Sequence, residues 1–143
     1  MKHSPTFRVI AAVSVLAASS TLAFAAPGNL PALHHQGDVA YLSGGVGLGQ
    51  STAIKEAMHR YPLSLEFAGK TQAGNEYLAD IPVRITGPHG DRLLQATAHG
   101  PIMLASLPNG RYDVSATYNG ETQHRSVDIG PSTHTRELFL WSM

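Results

Sequence analysis

The 143-residue sequence contains no cysteine, which excludes disulfide bonds, thiol chemistry, cysteine-based metal sites and a lipid-modified cysteine anchor. It holds ten lysines and arginines against ten aspartates and glutamates, and no run of like charge. A neutral chain of this kind lacks the electrostatic footprint of a nucleic-acid or anionic-lipid binder. We therefore expect no nucleic-acid partner, and a stable fold must depend on the apolar core that one domain of this length can bury.

A long apolar run is also missing. The main apolar stretch, Val9 to Ala18, is shorter than the roughly 20 residues that a spanning helix needs. It follows the basic residues Lys2 and Arg8 and precedes the small residues Ala23 and Ala25, an order typical of a cleavable export signal. We predict a signal peptide over residues 1–25, cleavage after Ala25, a periplasmic location and no membrane span after cleavage.

The next two segments have separate characters. Residues 26–38 contain prolines and glycines without periodicity, which predicts a flexible arm. Residues 39–62 begin with a possible short strand, continue through the glycine-rich loop Gly44–Gly49, and end in a short amphipathic helix near residues 52–61 with Ser51 or Thr52 as N-cap. The helix has one apolar stripe, formed by Ala53, Ile54, Ala57, Met58 and Tyr61. A helix this short must dock, and we expect it to pack near Leu138 and Leu140 with the loop as a hinge.

Strand patterns fill the rest of the chain, residues 63–143. Apolar residues alternate along Leu63–Phe67 and along Tyr77–Thr86, where Pro82 suggests an edge position or a bulge. Asn119-Gly120 predicts a type I′ hairpin that places Tyr118 opposite Glu121. Both faces of the final strand, Glu137 to Trp141, are apolar, and closely spaced turns favour a sandwich over a parallel α/β sheet.

A turn motif connects these strands to a known family. Leu107-Pro-Asn-Gly-Arg-Tyr112 predicts a strand end, a tight turn and immediate re-entry into a sheet. Together with Ile81-x-Val83-x-Ile85 and the turn Gly87–Asp91, it resembles the carboxypeptidase regulatory-like domain, of the transthyretin-like (prealbumin-like) and Cna-B group. The resemblance, over residues 63–141, implies a seven-stranded antiparallel transthyretin-like β-sandwich. It also implies a non-catalytic accessory or binding domain in the periplasm of a Gram-negative bacterium.

Two local features are candidate ligand sites. Gly44–Ser51 nearly matches the phosphate-binding pattern G-x-x-x-x-G-K-[ST], but Gln50 replaces the lysine, so we do not expect nucleotide binding. Gly49, Gln50 and Ser51 remain candidate contacts for a small anion at the helix start. His34 and His35 are a candidate pair for Cu²⁺ or Zn²⁺. The chain has no H-x-H or H-E-x-x-H spacing, so we predict no dedicated metal site and no cofactor.

The sequence thus favours an exported, non-enzymatic accessory or protein-binding domain, whose partner is another periplasmic or envelope protein. A periplasmic metal- or small-anion-binding protein is the alternative. A hydrolase is a further one: the C-terminus lacks the tyrosine-arginine-glycine-serine signature of transthyretin-related hydroxyisourate hydrolases, and nothing positions an oxyanion hole for Ser51, Glu56 and His59. We predict no catalytic residue, and the oligomeric state stays open.

Overall fold

Ten strands, one α-helix and one turn of 3₁₀-helix form within residues 30–143, the residues that the computed structural model describes. The strands are β1 His34–Gln36, β2 Val39–Gly44, β3 Leu63–Thr71, β4 Gly74–Tyr77, β5 Ile81–Thr86, β6 Arg92–Ala98, β7 Ile102–Ser106, β8 Gly110–Tyr118, β9 Glu121–Ile129 and β10 Thr135–Ser142. The helix α1 spans Leu48–Ala57, and the 3₁₀ turn follows at Met58–Arg60. The predicted signal peptide, with Ala23 and Ala25, lies outside the described residues.

The strands form two sheets. The larger has the order β1-β2-β7-β3-β10, with β4 also paired to β3, and the smaller has the order β6-β5-β8-β9. β10 runs parallel to β3, with Thr135 opposite Leu63, whereas the other pairings between described strands are antiparallel. A mostly β fold in two sheets is confirmed, but seven strands in a wholly antiparallel arrangement was wrong. The three additional strands, β1, β2 and β4, all belong to the larger sheet. The alternation of apolar residues in β10 does not by itself indicate which strand it pairs with.

One core lies between the two sheets, as in a β-sandwich. Alternate side chains of most strands point into it, because successive residues of a strand face opposite sides of the sheet. In the larger sheet the rings of Phe67 and Phe139 stack with centroids 5.8 Å apart, and Trp141 stacks on Phe139 at 6.1 Å. Three of the few aromatic side chains thus fill the centre of the core. Tyr77, by contrast, is 67% exposed.

The helix begins earlier than predicted and docks elsewhere. Gly47, at φ 82°, precedes the first helical residue, so Ser51 and Thr52 lie inside the helix and the predicted N-cap was wrong. Ile54 and Ala57 are buried against the outer face of β2 and β7, in a cluster that also holds Leu42, Ile102 and Leu104. The predicted contact with Leu138 and Leu140 was therefore wrong. The short link from β2 to α1 holds the helix over β2, and Leu138 remains 43% exposed.

Two turns follow their sequence signals closely. Asn119 and Gly120 both have positive φ, 50° and 79°, and Tyr118 pairs with Glu121, so the type I′ hairpin and its register are confirmed. At the other turn, the Tyr112 hydroxyl donates a 2.6 Å hydrogen bond to the carbonyl oxygen of Pro108. A tyrosine that bonds back to the chain just upstream is the tyrosine corner found in many β-sandwiches.

The expected single strand from Tyr77 to Thr86 divides in two. β4 ends at Tyr77, Asp80 takes a φ of 58°, and β5 begins at Ile81 in the other sheet. Alternation along the sequence continues through this crossing, which is why the break could not be seen. β5 is an inner strand and not an edge, but its pairing with β8 begins at Val83, one residue after Pro82.

Side-chain hydrogen bonds connect the two sheets along both sides. On one side the Gln36 amide donates to the Gln95 carbonyl at 2.9 Å and accepts from the Gln95 backbone N–H at 3.0 Å. On the other, the Gln123 amide donates to the Leu140 carbonyl at 2.7 Å, and the indole N–H of Trp141 donates to the Glu121 carbonyl at 3.0 Å. The predicted flexible arm therefore ends in a strand, β1, that anchors one side of the molecule.

Neither helix in residues 30–143 has the length and apolar character that crossing a membrane requires.

Candidate functional site

The glycine loop is closed by its own glutamine. The side-chain oxygen of Gln50 accepts hydrogen bonds from the backbone N–H groups of Gly45, at 2.8 Å, and Val46, at 3.2 Å. Gly49, Gln50 and Ser51 form the first turn of α1, and the Ser51 N–H bonds to the Gly47 carbonyl at 3.0 Å. The N–H groups of Gly45 and Val46 are thus engaged, and the Gln50 oxygen that faces them would repel an anion at that point of the loop. The small-anion site at Gly49, Gln50 and Ser51 stays a prediction.

The two adjacent histidines do not converge. His34 and His35 are neighbours in β1, so their side chains point to opposite faces of the strand. The His34 ring lies 5.5 Å from the ring of Tyr41, its partner on β2, while His35 pairs with Ala40. Within residues 30–143 no group of three or more histidine, aspartate or glutamate side chains is placed to hold a metal ion. The two side chains therefore do not converge on one point in this structure.

The residues considered for hydrolysis are spread over α1 and the 3₁₀ turn that follows it. Ser51 is half-buried in the first turn of α1, whereas Glu56 and His59 are exposed near its end. No hydrogen bond joins the three side chains within the described part of the chain.

The structure brings together a different set of side chains on the outer surface of the smaller sheet. The register places Gln95 of β6 beside Arg84 of β5, Arg84 beside Ser115 of β8, and Ser115 beside His124 of β9. With Pro82, Thr117 and Thr122 they line a shallow depression of about 420 Å³, and we refer to these seven residues as the polar face. Their outward orientation follows from the inward orientation of Val83, Val114 and Ala116 on the same strands.

The polar face has a defined hydrogen-bond pattern. The hydroxyls of Thr117 and Thr122, opposite each other near the hairpin turn, are 2.7 Å apart. The His124 Nδ1 atom lies 3.1 Å from the Asp113 carboxylate beside the depression. Sequence reasoning missed this set because each member is an ordinary polar strand residue. Only the β8–β9 pairing was predictable, and placing Arg84 and Gln95 beside it requires the order of all four strands.

No family model matches the chain, and no curated protein matches it. Among solved structures, the chain is similar to the Bacillus anthracis TIE protein, with 17% sequence identity and a TM-score of 0.39. The match covers 57% of this chain and spans 16% of the length of that protein. A likeness of this size identifies neither a shared family nor a shared activity.

Proposed function

We propose that the protein is an exported, non-enzymatic accessory domain that binds another periplasmic or envelope protein. The observation that carries the proposal is the polar face, exposed on a sheet whose sides are both connected to the second sheet. A surface held in place by its scaffold loses little conformational entropy on binding, which favours recognition of a protein partner.

The finer description of the fold belongs to the same proposal. We propose a transthyretin-like sandwich related to the carboxypeptidase regulatory-like domain, supported by the tyrosine corner at Tyr112 and Pro108. Domains of this architecture serve many functions, so the fold itself assigns no activity. Export is proposed from the signal-peptide pattern of residues 1–25.

Site-specific photocrosslinking in living cells tests the binding function. A photoreactive phenylalanine analogue replaces Thr97 or Ser126, two exposed residues that border the polar face, and Glu56 on the exposed side of α1 serves as the control. We expect both border positions to give an adduct with one envelope protein and the helix position to give none. Adducts from Glu56 alone, or none from any position, would contradict the proposal, as would turnover of ester or phosphate substrates by the purified protein.

A further inference from the structure

We propose that Arg84 anchors a carboxylate-binding site on the polar face, and that its ligand is an aspartate or glutamate side chain presented by the protein partner. This inference rests on the proposed protein-binding function and names the chemistry by which the partner is recognised. Arg84 lies on the inner strand β5, between Gln95 and Ser115 of the two adjacent strands.

Arg84 has no acidic partner, unlike the other arginine on the outer surface of β5 and β8. Within residues 30–143, no carboxylate oxygen lies within 4.0 Å of its guanidinium nitrogens. Arg111, further along the same surface, has its Nε atom 3.2 Å from the Asp128 carboxylate. A guanidinium presents a planar array of donors that fits a carboxylate with two parallel hydrogen bonds. Arg84 is thus the guanidinium of this surface whose donors remain open to a ligand.

The neighbours of Arg84 supply further donors. The Gln95 side-chain oxygen accepts a 2.9 Å hydrogen bond from Arg92, which leaves the NH₂ group of that amide for a ligand. Both the N–H and the carbonyl oxygen of Gln95 bond to the Gln36 side chain, so the position of this residue is fixed. Ser115 contributes a hydroxyl beside Arg84. The depression is therefore rich in donors and complementary to an anionic oxygen ligand.

The residues that line the depression also favour an acidic peptide over an acidic sugar as the ligand. Within residues 30–143 no carboxylate lines it, and the nearby Asp113 is engaged with His124 at 3.1 Å. Among the described residues, no tyrosine, phenylalanine or tryptophan lines it, so a sugar ring would find no large apolar ring to stack on. An acidic side chain on an extended peptide needs only the donors that are present, and we therefore commit to a peptide.

A titration monitored by amide chemical shifts tests the inference. The probe is a capped pentapeptide of alternating glycine and glutamate, and the matched peptide has glutamine in place of glutamate. We expect the acidic peptide to shift amides of β5 and β8, and Arg84→Gln to weaken it about tenfold or more, as loss of a charge-assisted hydrogen bond predicts. Arg111→Gln is the control on the same surface and should leave the affinity unchanged.

Three results would overturn the inference. The first is that the glutamine peptide binds as tightly as the acidic peptide. The second is that Arg84→Gln keeps the wild-type affinity for the acidic peptide and a native melting temperature. The third is that oligogalacturonate binds more tightly than the acidic peptide. The crosslinking assay separates this failure from that of the proposed function. If Arg84→Gln still gives the wild-type adduct at Thr97 and Ser126, the carboxylate site is wrong and the binding function stands. If the wild-type protein gives no adduct, the binding function itself fails.

Discussion

Tyr112 combines a structural hydrogen bond with a titratable group. Its side chain is 5% exposed, and the hydroxyl donates to the Pro108 carbonyl. Burial, and secondarily the negative charges of Asp91 and Asp38, raise the pKa of Tyr112 above the usual value of about 10. Because the folded protein holds this proton to a higher pH than the unfolded chain does, the tyrosine makes stability depend on pH in the alkaline range.

We predict that the free energy of unfolding decreases as the pH rises above about 10. The contribution of Tyr112 is complete below the unfolded pKa and is lost as the pH passes through the raised folded pKa. Tyr112→Phe should lower the free energy of unfolding by about 1 kcal/mol near neutral pH, because the hydrogen bond to Pro108 is lost. In this variant the free energy of unfolding should also fall less as the pH rises. Urea denaturation at about pH 8 and about pH 11 measures both effects. Tyr77→Phe, at an exposed tyrosine, is the control, and an unchanged alkaline decrease in Tyr112→Phe would refute the assignment.

At the scale of elements, the apolar stripe of α1 was predicted correctly, but it did not determine which surface of the sheets the helix packs against. The apolar stripe of the helix was visible in the sequence, but two surfaces offered apolar side chains to it, one on β10 and one on β2 and β7. Ile54 is fully buried on the second, whereas Leu48, in the first turn of the same helix, is 86% exposed.

We predict that Ile54→Asp destabilises the protein by several kcal/mol, because it places an unpaired charge against Leu42, Ile102 and Leu104. Leu48→Asp is the matched control: it introduces the same charge into the same helix, at an exposed position near the positive end of the helix dipole. Its free energy of unfolding should be unchanged or slightly higher. Chemical denaturation of the two variants gives the comparison, and equal losses would show that α1 is not docked through Ile54.

Local signals predicted some elements and not others. The register of the β8–β9 hairpin followed from Asn119-Gly120, because a two-residue turn fixes the pairing of the strands it joins. The parallel pairing of β10 with β3, and the crossing between sheets near Asp80, depend on residues distant in sequence. The polar face was hidden for the same reason, since Arg84 and Ser115 become neighbours only once β5 pairs with β8.

At the scale of the whole molecule, the segment before Pro62 is part of the larger sheet. β2 pairs with β7 along its length, from Ala40 opposite Ser106 to Gly44 opposite Ile102, and β1 extends the sheet from β2. Through the contact of Gln36 with Gln95, this segment also closes one side between the two sheets. The family resemblance in the sequence covers only residues 63–141, but the folded domain also includes this earlier segment.

We predict that a chain beginning at Pro62 aggregates or loses its cooperative unfolding transition. This truncated chain lacks β2 and α1. One edge of β7 would therefore be unpaired, and Ile102 and Leu104 would be exposed to water. A chain beginning at Ala26, the predicted mature start, is the control and should unfold cooperatively. Thermal melting and size-exclusion chromatography of the two chains provide the measurement. A soluble Pro62 chain with an unchanged melting temperature would show that the segment is dispensable.

The parallel pair of β3 and β10 has a consequence for when the protein folds. It joins parts of the chain that are 70 residues apart, as at the contact of Glu66 with Arg136. Closing so long a loop lowers the entropy of the chain before the stabilising contacts have formed. Phe139 and Trp141 of the core lie on β10, the strand that this pair adds to the sheet. During synthesis β3 leaves the ribosome well before β10, so the aromatic centre stays unassembled until residues 135–142 have emerged. We therefore expect the core to complete its folding only once residues 135–142 are available to pair with β3.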